Sequence, residues 1–113
     1  MFFINQGMVV ARLLGGSTEE AETLYKYMFY VYCLESMKNK RLYTGYTDNL
    51  KRRFKEHNIG KGGDFTAKNG PWKLLFYEGH VNEKDARNME IFYKSGYGRE
   101  VLKNKLKNYF KSK

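Results

Sequence analysis

Two aromatic and β-branched segments, a few residues apart, constrain this chain more than any other feature. Phe29-Tyr30-Val31-Tyr32-Cys33-Leu34 is built from residue types that suit a pleated, buried surface, and so predicts a strand. Ser36 to Lys40 is polar and turn-like, and Arg41-Leu42-Tyr43-Thr44-Gly45-Tyr46 reads as a second strand, so the pair predicts a hairpin. Thr47 or Asp48 can then cap a helix running to about Ile59, with Gly60 as its stop. Residues 61–70 read as a Gly- and Lys-containing loop, and Trp72-Lys73-Leu74-Leu75-Phe76-Tyr77, just after the only proline, Pro71, as a third strand. Asn82 can cap a helix from Glu83 to about Ser95, closed by Gly96, and a last helix is expected from Arg99 to about Phe110. The order ββαβαα predicts an α+β domain, a small sheet with helices packed on it.

Composition narrows the partners. The chain has 113 residues, 21 Lys+Arg against 12 Asp+Glu, and a formal net charge of +9. At 42% hydrophobic and 17% aromatic it has the material for a core. The charge is uneven: residues 1–27 carry two basic and three acidic side chains, and residues 28–113 carry 19 and nine. The second segment therefore reads as the domain, with polyanions as its first expected partners. The first reads as an extension, with Ser17-x-x-Glu20 as a possible capping box for a short helix to about Tyr27 and Met28 as a possible true start. Asn5-Gln6-Gly7 interrupts its apolar stretch, unlike a signal peptide, and no apolar run approaches the roughly 18 residues of a membrane span. One cysteine, Cys33, excludes an internal disulfide and a cysteine-based zinc cluster, and suits a reducing, cytoplasmic setting.

Helical spacing then isolates a few polar side chains on apolar faces. In the first helix Leu50 and Phe54 form the apolar stripe, and Arg53 and His57 lie on the same side, while Lys51, Arg52 and Lys55 point elsewhere. Arg53 can simply run along the core edge and His57 be a satisfied boundary residue. In the second helix Glu90 lies on the stripe of Ala86, Met89 and Tyr93. A carboxylate there is costly unless paired or metal-bound, which leaves a structural salt bridge, a metal ligand and a general base as open alternatives. Tyr30, Tyr32 and Tyr43 read first as strand packing, and their hydroxyls acquire chemical meaning only if they converge with Arg53, His57 and Glu90.

Tyr30-Val31-Tyr32, ten intervening residues and Tyr43-Thr44-Gly45 resemble the paired motifs of the GIY-YIG nucleases. The resemblance extends through Thr47-Asp48-Asn49-Leu50-Lys51-Arg52-Arg53-Phe54-Lys55-Glu56-His57, then Pro71-Trp72-Lys73-Leu74, Ala86 with Glu90, and Lys94-Ser95-Gly96, and covers about residues 28–100. Tyr30, Val31 and Thr44 depart from the family's name motifs at positions without proposed chemistry. The family implies a three-stranded antiparallel sheet flanked by helices and a single divalent-metal site for phosphodiester hydrolysis. By that resemblance Tyr32 and Tyr43 match the motif tyrosines, Arg53 and His57 the helix pair, and Glu90 the metal-binding glutamate. Asn104 and Asn108 are candidates for an asparagine that some members use late in the domain.

Phosphodiester hydrolysis needs an activated water and neutralisation of developing charge. Glu90 can hold one Mg²⁺ or Mn²⁺ with waters and phosphate oxygens, and Arg53 offers a planar fork of donors to nonbridging oxygens. Tyr43 is expected to be the base or water-positioning group, with Tyr32 and His57 holding the network; spacing does not decide among the three. Tyr46, Lys51, Arg52, Lys55, Lys61 and Lys68, with the C-terminal lysines, are expected to bind nucleic acid through its phosphates. Gly60-Lys61-Gly62-Gly63 lacks the ending of a P-loop and reads as a flexible loop at the substrate's edge. The leading expectation is a metal-dependent DNA endonuclease of repair or of structured-DNA processing. The alternative is a noncatalytic basic module that binds DNA or RNA, and an RNA-directed nuclease is a third.

Overall fold

The structure, a computed structural model, describes residues 27–112. The expected capping box at Ser17–Glu20 lies outside the described residues. Eight elements follow one another: β1 (Phe29–Ser36), β2 (Leu42–Thr47), α1 (Leu50–Asn58), α2 (Asp64–Asn69), β3 (Trp72–His80), α3 (Glu83–Lys94), α4 (Gly96–Lys105) and α5 (Lys107–Lys111). The three strands form one antiparallel sheet in the order β2-β1-β3, so the α+β expectation holds.

The central place of β1 explains its unbroken apolar run, since a strand covered on both faces has no solvent side on which to alternate. Tyr30, Tyr32 and Leu34 pack on one face with Leu50, Phe54 and Trp72. Val31 and Cys33 pack on the other with Ala86, Met89, Tyr93 and Leu102. The apolar stripes of the two longer expected helices thus cover opposite faces of the sheet. Each fully buried Leu or Val of these clusters contributes about 1.5–3 kcal/mol relative to exposure.

Local capping sets the boundaries. Thr47 is not the cap of α1: its Oγ1 accepts from the Asn49 N–H, and Asn49 in turn accepts from the Arg52 N–H at 3.0 Å. Gly60 follows the end of α1 with φ +81, a left-handed conformation suited to glycine at a helix stop. Asn82 caps α3 as its position suggests, accepting from the Lys84 and Asp85 N–H groups.

Two expectations change. Residues 61–70 are not all loop, because α2 occupies six of them. So short a helix is marginal alone. Here Trp72 Nε1–H donates to the Thr66 carbonyl at 2.8 Å and Asn69 Nδ2 donates to that of Phe65 at 2.7 Å, so carbonyls at its end are satisfied from outside the helix ladder. The last expected helix begins earlier, at Gly96, with Ser95 Oγ accepting from the Gly98 N–H, and breaks at Leu106 into α4 and α5. Leu106 packs into the second apolar cluster, and α5 brings the Tyr109 hydroxyl to donate to buried Glu35 at 2.7 Å.

Candidate active site

Antiparallel register pairs Tyr32 on β1 with Gly45 on β2. The Tyr32 ring lies across that glycine: a Cβ there would stand 2.3 Å from the hydroxyl oxygen and 2.4 Å from Cζ. With no side chain opposite it, the ring reaches α1, and the Tyr32 hydroxyl and His57 Nε2 share a buried hydrogen bond of 2.7 Å. Both residues are 1% exposed. Tyr43 closes the cluster, its ring 5.1 Å from His57 and 6.4 Å from Tyr32 between centroids. Phe65 of α2 stacks on the far side of Tyr43 at 6.1 Å, with Trp72 beside both.

Electrostatics separates the members. Burial first, then Arg53, pushes His57 down to about 4, with Glu56 acting the other way, so the imidazole is neutral at pH 7. Burial, followed by the neighbouring Tyr43 hydroxyl, pushes the Tyr32 phenol well above its ordinary value, and Arg53 opposes the shift. Arg53, half-buried, donates to Glu56 at 3.2 Å and to the Gly62 carbonyl at 3.4 Å while its guanidinium also acts on Tyr32. It is neither a free surface cation nor a side chain merely lying on the core edge.

Glu90 reaches the cluster from α3. Its Oε2 is 3.0 Å from Lys94 Nζ, one helical turn on, and that ammonium lies 5.9 Å from the centre of the Tyr43 ring. The salt bridge expected as one alternative is therefore present, with Lys94 as partner. The carboxylate also bears on the Tyr32 hydroxyl electrostatically.

Tyr32, Tyr43, Arg53 and His57 thus form one contiguous group with Glu90 at its rim. The proposed phosphate-binding residues lie outside it. Lys51, Lys55, Lys61 and Lys68 are exposed, and Arg52 is held by Asp48 and Glu56. Strand alternation carries Tyr46 to the opposite face from Tyr43, stacked on Phe29 at 6.5 Å with the Arg87 guanidinium 4.1 Å above its ring. Asn104 and Asn108 are exposed on the C-terminal helices. Gly62, Phe65 and Lys94 join the site without having been singled out by spacing. The loop of residues 60–63 sets Gly62 against His57, where a Cβ would lie 2.2 Å from Nδ1. His57 stands only five residues before Gly62, in the last turn of α1, and the turn that follows the helix folds the glycine back onto it.

The model of the GIY-YIG catalytic domain matches residues 28–107, most of the chain. This chain belongs to the GIY-YIG family. Among its relatives, a UPF0213 protein of Clostridium perfringens is 43% identical over 67 residues, spanning 59% of this chain and 71% of that protein. A UPF0213 protein of Pediococcus acidilactici is 42% identical over 79 residues, spanning 68% and 76%. The solution structure of a UPF0213 protein from Bacillus halodurans is 36% identical, covers 66% of this chain and 81% of that one, and superposes with a TM-score of 0.42.

GIY-YIG nucleases generally use a divalent metal. Among the described residues no group of three or more His, Cys, Asp or Glu could cage an ion. The half-buried Glu90 carboxylate fits a hard divalent cation that takes one protein oxygen and fills its other positions with water and phosphate oxygens. No helix of the described residues is long and apolar enough to cross a membrane.

Proposed function

We propose that the chain is a metal-dependent endonuclease that hydrolyses DNA phosphodiester bonds, acting in the cytoplasm in repair or in processing of structured DNA. The observation that carries this reading is the convergence of Tyr32, Tyr43, Arg53 and His57 around one buried hydrogen bond, with a carboxylate at the rim. Packing alone needs no guanidinium directed at a buried tyrosine hydroxyl, and phosphate binding alone needs no Glu90.

Arg53 is half-exposed and already turned toward the cluster, so its remaining donors can neutralise charge growing on nonbridging phosphate oxygens. Tyr43, less buried than Tyr32, positions the attacking water or takes its proton, and Tyr32 and His57 hold Tyr43's surroundings in place. Glu90 would hold one Mg²⁺ or Mn²⁺, which when bound supplies Lewis-acid stabilisation of the scissile phosphate. Lys51, Arg52, Lys55, Lys61 and Lys68 contact backbone phosphates outside the cluster, giving salt-sensitive binding with little sequence preference. Residues 28–113 form the catalytic unit, and a chain shortened to them is expected to fold.

The test is incubation of the purified protein with supercoiled, flapped and branched DNA plus Mg²⁺ or Mn²⁺, alongside Arg53→Ala and Glu90→Ala. Nicking is expected from the wild type, with Glu90→Ala abolishing it and largely sparing binding. Binding without nicking under either metal would leave only the noncatalytic module. Nicking that survives both substitutions would remove these residues from the mechanism.

A further inference from the structure

His57 Nδ1 is a buried nitrogen with no hydrogen-bond partner, the only such side-chain atom among the described residues. It faces Gly62. A methyl at Gly62 would stand 2.2 Å from Nδ1, 2.8 Å from Thr66 Oγ1 and 2.9 Å from His57 Cε1. The glycine hydrogen occupying that direction is therefore turned toward Nδ1 more than toward the neighbouring ring carbon. We propose that Gly62 fixes the tautomer of His57, keeping Nδ1 unprotonated so that Nε2–H donates to the Tyr32 oxygen and the Tyr32 proton is turned away from His57.

A hydrogen on Nδ1 would be driven against the Gly62 Cα–H and would have no hydrogen-bond partner, and orphaned buried N–H groups are among the rarest in folded proteins. A lone pair in the same place meets a weak C–H donor, a mildly favourable contact. The ring is neutral at pH 7, so one proton is left to place; the 2.7 Å contact with the Tyr32 oxygen would serve Nε2 as donor or acceptor, and the C–H facing Nδ1 is what places the proton on Nε2. Gly62 is held in turn, because its carbonyl accepts from Arg53 at 3.4 Å. One loop residue thus anchors Arg53 through its carbonyl and orients His57 through its missing side chain.

This inference rests on the nuclease reading for its catalytic meaning, and it narrows that reading. The free lone pair of His57 is sealed under Gly62, so His57 cannot take a proton from water. The base must then be a tyrosine, with His57 as a positioning residue that makes Tyr32 an acceptor.

Nitrogen-15 spectra of the full chain, labelled at histidine, decide the matter. His57 and His80 are the only two histidines, and a His80→Asn variant assigns them. At pH 7, His57 Nδ1 is expected to resonate as an unprotonated and Nε2 as a protonated nitrogen. The opposite pattern, or a doubly protonated ring, overturns the proposal. Gly62→Ala is expected to abolish this signature and lower cleavage by about 10²-fold. Gly96→Ala, where a Cβ meets nothing within 4 Å, is expected to preserve both. An unchanged signature in a folded Gly62→Ala protein also refutes the proposal, and if that variant does not fold the wild-type spectrum alone decides. The tautomer is read without catalysis, so a protein that never cleaves sinks the nuclease reading and leaves the His57 result standing.

Discussion

Replacing Gly45 with alanine puts a methyl carbon 2.3 Å from the Tyr32 hydroxyl oxygen and 2.4 Å from Cζ, far inside van der Waals contact. Neither side can yield cheaply. Tyr32 is 1% exposed, its ring packs against both Tyr43 and His57, and its strand is the middle one of three. The ring or β2 must shift, and a shift approaching an ångström breaks the 2.7 Å bond to His57. Overpacking costs about 1–3 kcal/mol and a lost buried hydrogen bond about 1 kcal/mol more, so the variant should be destabilised by about 2–4 kcal/mol. For a domain of this size that lowers Tm by roughly 10 °C or more. Gly79→Ala is the comparator: there a Cβ meets the mobile end of Met28 at 3.0 Å and Tyr30 Cε1 at 3.4 Å, so its cost should stay within about 0.5 kcal/mol. Urea unfolding followed by circular dichroism measures both. Equal midpoints for the two variants would refute the claim that Gly45 is the seat of the Tyr32 ring.

Other outcomes follow from charge. The folded-state value of His57, about 4, lies below the ordinary 6.5, so the unfolded chain binds the extra proton first as pH falls. The stabilisation is complete above about pH 6.5 and is lost on the way down through pH 4, a span of about 3 kcal/mol. Urea midpoints at pH 7 and 4.5 should therefore fall further for the wild type than for His57→Gln, and equal falls would contradict a buried neutral imidazole. DNA affinity should drop linearly in logarithm with salt, and replacing Lys55 or Lys61 by alanine should lessen the slope by about one unit each. An unchanged slope would remove those lysines from the phosphate contacts.

The hairpin, the two amphipathic helices and the Asn82 cap were legible because each is coded within a few residues: alternation, helical stripes, a cap three residues from its target. Arg53, His57 and Glu90 were legible for a different reason, as polar residues where the stripe demands apolar ones. Helix α2 was not, since its six residues carry little propensity and are held by Trp72 from the next strand. The setting of Tyr46 was not legible either. Its residue type suits a nucleic-acid surface, and only the alternation of β2 within the sheet turns it onto Phe29 and Arg87.

Composition and pattern alone settled that the chain makes a basic α+β domain, and they marked the side chains capable of chemistry, because side-chain type and spacing are local properties. Which of those groups touch was left to the packing of the sheet. Tyr32 meets His57 because antiparallel register sets a glycine opposite it, and His57 Nδ1 loses every partner because a glycine from the following loop closes over it. The first joins segments 25 residues apart, and its geometry depends on strand order and helix docking, which no short window of residues contains. The second lies within six residues, and the path of the chain in the turn after α1 decides it.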